Sequence, residues 1–311
     1  GIASTGSTPG AFRLATEVLS KGRIDLFFEE AAVNDRTNGF QNQAQVRGME
    51  GIVRHMRVSN PLVDIVMMHC VDPEKIAEYT AGKIPNEIIN HELVASQYNA
   101  NTINWSKEVT ARIAAGEFSW KEDFRDLHPS KFGQEVYARS LISYLNNAYG
   151  NISSEAFPTN HLLPTPIDKF SYFDGNYADI KNATILSKWS IDEKWVPKDG
   201  VGGRKQYMNR PALVATEAGA EMELTFSGKA IGICIASGPD AGVIEYSIDG
   251  KPFKKKDLYS QWSGVLHLPW YIVLEEELKN KQHTIRIRMS ADKNEKSKGN
   301  ACRILHFLVN G

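Results

Sequence analysis

The sequence predicts an α/β domain built on a parallel sheet, followed by an all-β sandwich, and three observations carry that expectation. Over about the first 150 residues, short apolar runs alternate with segments of helical period, the pattern of a parallel sheet covered on both faces. Beyond about residue 170, short β-rich runs alternate with turn signals, which fits an antiparallel sandwich, jelly-roll-like. Between them lies an aperiodic stretch punctuated by Pro158, Pro164 and Pro166, which reads as a linker. The expected boundaries are 1–152 for the α/β domain, 153–169 for the linker and 170–311 for the sandwich.

The elements follow in order. Thr8 reads as an N-cap with Pro9 at the first helical position, and Ala11, Ala15, Val18 and Leu19 recur at helical spacing until Gly22 closes the helix. Residues 24–33 (IDLFFEEAAV) are apolar enough for a mostly buried strand. Glu29 and Glu30 interrupt that run, and since burying a carboxylate is costly, one of them is expected to face solvent or pair with an arginine at the sheet edge. A helix with Met49, Ile52, Val53 and Met56 on one face comes next, then a second buried strand over 63–71. A helix over 85–98, a short strand over 101–105 and a helix over 106–115 precede a last helix over 131–147 with Val136, Tyr137, Leu141, Tyr144 and Leu145 inward. In the second half, β-rich runs occupy 220–228, 230–238, 242–250, 283–290 and 302–310, and Asp249-Gly250 marks a hairpin within IEYSIDGKPF.

Composition narrows the function classes. Hydrophobic residues at 42% and charged residues at 23% are those of an ordinary globular chain. With Lys plus Arg at 36 against Asp plus Glu at 37, a general nucleic-acid or anionic-membrane surface has no electrostatic support. Lys254, Lys255 and Lys256, followed at once by Asp257, read as a solvated turn. Cys70, Cys234 and Cys302 stand far apart and outside any zinc-type spacing; buried thiols are the expectation, with a Cys234–Cys302 disulfide the alternative. No apolar stretch reaches the roughly 18 to 20 residues that span a bilayer. The opening GIASTGSTPG has no basic or apolar region of a signal peptide and reads like the middle of a domain.

Two stretches carry candidate chemistry. In DLFFEEAAVNDRTNG (25–39) a buried run leads directly to Asn34, at the carboxyl end of a strand where ligands collect in open α/β sheets. In WKEDFRDLHPSKFGQEVYA (120–138), Asp126 and His128 stand just before Pro129 and a helix. A carboxylate orienting a histidine is the general-base half of a serine-hydrolase triad, and an asparagine amide can donate to an oxyanion.

These residues resemble the SGNH (GDSL-like) family of esterases, lipases and carbohydrate deacetylases. Ala32-Val33-Asn34-Asp35 is similar to its Gly-x-Asn-Asp block, Asp126-Leu127-His128-Pro129 to its Asp-x-x-His-Pro block, and Gly1–Leu14 to the glycine-bearing loop and helix between its first two blocks. The resemblance implies a flavodoxin-like three-layer α/β/α domain. It makes His128 the base, Asp126 its orienting acid, Asn34 an oxyanion donor and the backbone near Ser4 a second donor. The chain departs from the pattern in four places. Ala32 replaces the usual glycine; one residue rather than two separates acid and histidine, so Asp123 is an alternative acid; and Ser4 stands where a backbone-donating glycine aligns. Gly-Asp-Ser, which carries the nucleophile, occurs nowhere, so the nucleophile and the first two strands are expected upstream of residue 1, with Ser4 or Ser7 as the alternative nucleophile.

The implied reaction is hydrolysis of a small acyl ester, an acetyl group on a carbohydrate first, with no metal or organic cofactor and in a secreted or periplasmic setting. Two rivals remain: a catalytically inactive relative that binds carbohydrate through its sandwich, and acyl transfer to a sugar by the same residues. The aromatic stretch 259–271, with His267, suits either sugar stacking or sandwich core. His55, His69 and His91 are assigned no chemistry; Asp35 reads as a loop cap, Asp240 and Asp249 as turn residues.

Overall fold

The computed structural model describes residues 4–153 and 155–311, and the chain divides into two units, Gly1–Phe173 and Asp174–Gly311. The first unit is α/β. Its elements are α1 (Ser7–Glu17), β1 (Leu26–Glu29), α2 (Ala32–Thr37), α3 (Asn42–Ser59), β2 (Asp64–Met68), α4 (Pro73–Thr80), α5 (Asn86–Tyr98), β3 (Asn101–Ile103), α6 (Trp105–Ala114) and α7 (Lys131–Tyr149). The strands form a parallel sheet in the order β1-β2-β3, with Leu26 opposite Asp64 and Val66 opposite Asn101.

Residues Ile65, Val66 and Met67 of β2 are buried, as a central parallel strand requires. Leu26, Phe27 and Phe28 of β1 are only half-buried, because among the described residues β1 pairs with β2 alone and its other edge is open. Tyr137, Leu141 and Tyr144 of α7 pack on Val66, Ile103 and Trp105, while α1 and α5 both pack on α3.

Several expectations need correction. The run 24–33 does not continue as one strand: pairing with the short β2 ends at Glu29, and the chain turns into α2, burying Ala31 and Ala32 from a helical start. Helix α1 begins at Ser7, with Gly6 rather than Thr8 as N-cap, and it buries Ala11, Phe12 and Leu14 instead of a stripe reaching Leu19. Helix α4 was not expected, although Asp72 caps it from its own side chain and Pro73 opens it. Neither Glu29 nor Glu30 pairs with an arginine among the described residues; Glu29 is buried, and Glu30 accepts the Val33 N–H at 3.2 Å.

The stretch that composition marks as a linker runs into a segment bound to α3. Arg47, Glu50 and Arg57 lie on α3 with at most 1% exposure, a cost that their partners offset in part, Arg57 donating, among the described residues, only to the carbonyls of Tyr98 and Leu162. Arg47 donates to Asp168 at 2.7 Å, and Glu50 accepts the N–H groups of Ile167 and Asp168 at 2.6 and 3.1 Å. Glu50 also accepts the Tyr98 hydroxyl at 2.7 Å, so α3, α5 and the segment share one buried polar network.

The second unit is antiparallel β. It comprises β4 (Gly175–Ala178), β5 (Thr184–Ser187), β6 (Ser190–Trp195), β7 (Arg210–Ala215), β8 (Glu221–Gly228), β9 (Ala230–Ser237), β10 (Val243–Ile248), β11 (Lys254–Asp257), β12 (Leu268–Glu275), β13 (Lys281–Met289) and β14 (Cys302–Asn310). One sheet has the order β11-β10-β13-β8-β5; the other has β12-β9-β14-β7-β6, with β4 also on β14. Met222, Leu224, Ile233, Ile235, Ile285, Ile287 and Phe307 fill the core between them. Asp249 and Gly250 take φ of 52° and 73°, the paired positive values of a tight hairpin turn. Lys254–Asp257 is an exposed edge strand, not a turn; its lysines discourage pairing with another chain. Asp240 is more than a turn residue, since Arg303 grips it with both terminal guanidinium nitrogens. The cysteines form no disulfide. From the aromatic stretch, His267, Leu268 and Tyr271 are buried in the sandwich, while Trp262 keeps 37% of its surface.

Candidate active site

Asn34 lies on the first turn of α2, directly past the carboxyl end of β1. The turn from strand to helix carries it out of the sheet, and its carboxamide has no hydrogen-bond partner among the described residues. Its neighbour Asp35 is fully buried and joins two distant parts of the chain. One carboxylate oxygen accepts the Ser7 N–H at 2.8 Å, and the other accepts from His91 Nε2 at 2.9 Å. Ser7 N–H is among the unsatisfied donors at the start of α1, where a negative charge is favourable. Contact is so close that a Cβ on Gly6 would sit 2.1 Å from the Asp35 carboxylate, so only glycine fits there.

Ser4 is drawn into the same corner. Asn38 of the turn after α2 donates to the Ser4 carbonyl at 3.0 Å. The Ser4 backbone has φ of 67°, the left-handed region that glycine enters at no cost. The serine therefore adopts the conformation suited to the glycine it replaces in the resemblance. Ser7 is fully buried, which leaves its hydroxyl inaccessible to a substrate.

Titratable groups cluster beneath this corner. Burial opposes the charged form of His91, but the Asp35 carboxylate outweighs it and raises the imidazole's affinity for its proton. Burial pushes the Glu29 carboxyl up to about 8, which keeps it protonated at neutral pH. Burial likewise raises Glu30, and it lowers His69, whose Nε2 contacts Glu92 at 3.0 Å.

Asp126 and His128 sit apart from this corner in hydrogen-bonding terms. They occupy the exposed loop between a π-turn (Trp120–Phe124) and α7, their side chains 64% and 88% exposed. Asp126 accepts the His128 backbone N–H at 2.9 Å, which holds its carboxyl below the usual range. The ring nitrogen Nδ1 stands 3.5 Å from the same oxygen, beyond hydrogen-bond length. Asp123, the alternative acid, accepts the Ser119 N–H at 2.8 Å and so caps its own turn. Arg125, between the two carboxylates, has φ of 78°, a conformation that costs a non-glycine residue about 1 kcal/mol or more.

The structure thus brings Ser4 to Asn38, at the end of the helix whose first turn carries Asn34, and Asp126 to His128. No hydrogen bond or ion pair joins the two groups among the described residues. Asp35 and His91, which draw the corner together, carried no local signal beyond their residue types, since they lie 56 positions apart. No group of three or more His, Cys, Asp or Glu able to hold a metal occurs among the described residues.

No protein-family model matches the chain, and no curated protein does. Two solved structures are similar to it over its full length. One is a two-domain esterase (CEX) active on acetylated mannans, co-crystallized with mannopentaose: TM-score 0.74, 21% identity, 100% of this chain and 78% of that one. The other is again a two-domain esterase (CEX) active on acetylated mannans: TM-score 0.74, 20% identity, 100% of this chain and 79% of that one. At such identity the likeness shows the fold.

Proposed function

We propose that the protein is an ester hydrolase of the SGNH type that removes acetyl or other small acyl groups from a carbohydrate. The observation that carries the reading is the corner where Asn34, past the end of β1, meets the α1 start through Asp35. Asn38, at the far end of the helix that carries Asn34 on its first turn, holds the Ser4 carbonyl at 3.0 Å, and in this reading the Asn34 carboxamide and a loop N–H serve as the donors an acyl-transfer oxyanion needs. Two-domain architecture shared with a mannan esterase supports the substrate class.

In this mechanism a serine attacks the ester carbonyl, His128 takes the serine proton and gives it to the departing sugar oxygen, which leaves as a hydroxyl, and Asp126 orients the imidazole. Asn34 Nδ2 and an N–H near Ser4 receive the charge that develops on the carbonyl oxygen. Water then attacks the acyl-serine with His128 again as base, releasing acetate. The nucleophile comes from a strand that adds to the open edge of β1, which would also cover Phe27 and Phe28. Ser7 is buried, which counts against it in that role. Such chemistry on polysaccharides fits a secreted or periplasmic enzyme.

Labelling with a fluorophosphonate, followed by peptide mass spectrometry, tests the assignment of the nucleophile. Label absent from Ser4 and Ser7 is the expected result; label on either serine places the nucleophile inside the glycine-loop and overturns the proposed alignment. The rival, an inactive relative that binds glycans through its sandwich, draws on the long Nδ1 to Asp126 distance. It would show glycan binding with no acetate release from the intact protein.

A further inference from the structure

One end of the β-sandwich carries a cavity of about 330 Å³ that none of the esterase chemistry uses. That volume lies at the small end of ligand sites and suits a single sugar ring. Its walls come from separate parts of the unit: Trp195 ends β6, Asp240 follows β9, His267 precedes β12, and Arg303 lies in β14.

The polar groups of the wall are locked in pairs. Arg303 reaches Asp240 with two parallel bonds, at 2.8 and 2.5 Å. His267 Nε2 contacts both Asp199 oxygens, at 3.1 and 2.9 Å. The indole of Trp195 braces both side chains: the guanidinium lies 5.4 Å from its ring and the imidazole meets it edge-on at 5.6 Å. The histidine also donates its backbone N–H to the Gly202 carbonyl at 2.8 Å, which holds the loop after β6 against it.

These pairs are expensive for a merely structural purpose. His267 is 3% exposed and the Arg303 side chain 11%, so both are largely stripped of water, yet they border a cavity instead of filling a packed core. His267 Nδ1 is buried with no partner among the described residues. The two basic groups locked in the wall already have their carboxylates, and Lys198 and Asp192 leave one further charge of each sign, so neither an anion nor a cation meets a net excess of opposite charge. A ligand with many hydroxyls, each able to donate and accept, can use the remaining carboxylate lone pairs. Val196, Pro197 and Val214 offer an apolar surface for its C–H face.

We propose that this cavity is a binding site for a neutral, hydroxyl-rich sugar residue, held by Asp199, Asp240, His267 and Arg303. The site is independent of turnover, so it stands or falls apart from the esterase reading. The test titrates the 15N-labelled full chain with mannopentaose, cellohexaose and an oligogalacturonate, following the Trp195 indole N–H. A neutral oligosaccharide should shift that signal saturably. Thr216→Trp, at the exposed rim of the cavity, should weaken binding at least tenfold while leaving the fold intact. Asp199→Asn, which keeps shape and removes charge, should weaken it by a smaller factor. No saturable shift with either neutral probe, unchanged affinity in Thr216→Trp, or tighter binding of the anionic probe would each overturn the proposal. Loss of acetate release with this binding intact would sink the esterase reading alone.

Discussion

Replacing Asp35 by alanine removes a side chain that ties the α1 start to α2 and α5. Its two bonds, at 2.8 and 2.9 Å, reach the Ser7 N–H and His91 Nε2, and Ser7, Asp35 and His91 are all fully buried. A bond to a buried charge contributes about 1.5–3 kcal/mol, and breaking a buried pair costs about 3–5 kcal/mol because the partner is stranded. Asp35→Ala should therefore destabilise the α/β unit by about 3–5 kcal/mol, and Asp35→Asn, which keeps one acceptor oxygen, by about 1–2 kcal/mol. Amide hydrogen exchange reads the effect locally. The Ser7 amide should exchange about 5- to 30-fold faster in Asp35→Asn, at about 1.4 kcal/mol per tenfold, while amides of β8 in the sandwich stay unchanged. Protection of Ser7 unaltered in both variants would refute the clamp.

Three further outcomes concern Glu29, Asn34 and His128. Glu29 has a folded-state value near 8 against an ordinary 4.5, so the folded chain holds a proton that the unfolded chain releases as pH rises. Its contribution is fully present below pH 4.5 and is lost as pH climbs to about 8, a change of about 5 kcal/mol. Glu29→Gln should flatten urea-unfolding stability across that window and leave the variant more stable than wild type at pH 8; equal slopes would contradict the buried carboxyl. In the intact protein, Asn34→Ala should lower kcat by about 10²- to 10³-fold with little change in KM, the signature of a donor used in the transition state. His128→Ala should leave unfolding stability within about 0.5 kcal/mol of wild type, because its ring is 88% exposed.

Alternation of apolar and helical segments was legible for the parallel sheet because β2 is buried on both faces and reads as a continuous run. Strand length was not, since β1 stops where β2 ends and the same apolar residues serve equally in the start of α2. Met49, Ile52, Val53 and Met56 announced one face of α3, but the buried Arg47, Glu50 and Arg57 on that helix did not: charged residues pattern as surface until the partner segment is known. The Asp249-Gly250 hairpin was visible because its chemistry is local. Within the site, Asn34 and His128 stood in short motifs, whereas Asp35 and His91 meet only through tertiary packing. Likewise Asp240 looked like a turn residue because its partner, Arg303, lies 63 residues away.

Acetate release from acetylated mannan by the intact protein, compared with its His128→Ala and Asn34→Ala variants, tests the central claim most directly. The account predicts release by the wild type, its near-complete loss in His128→Ala, and a decrease of about 10²-fold or more in Asn34→Ala. Release that survives both substitutions, or a correctly folded wild type that frees no acetate, would contradict it.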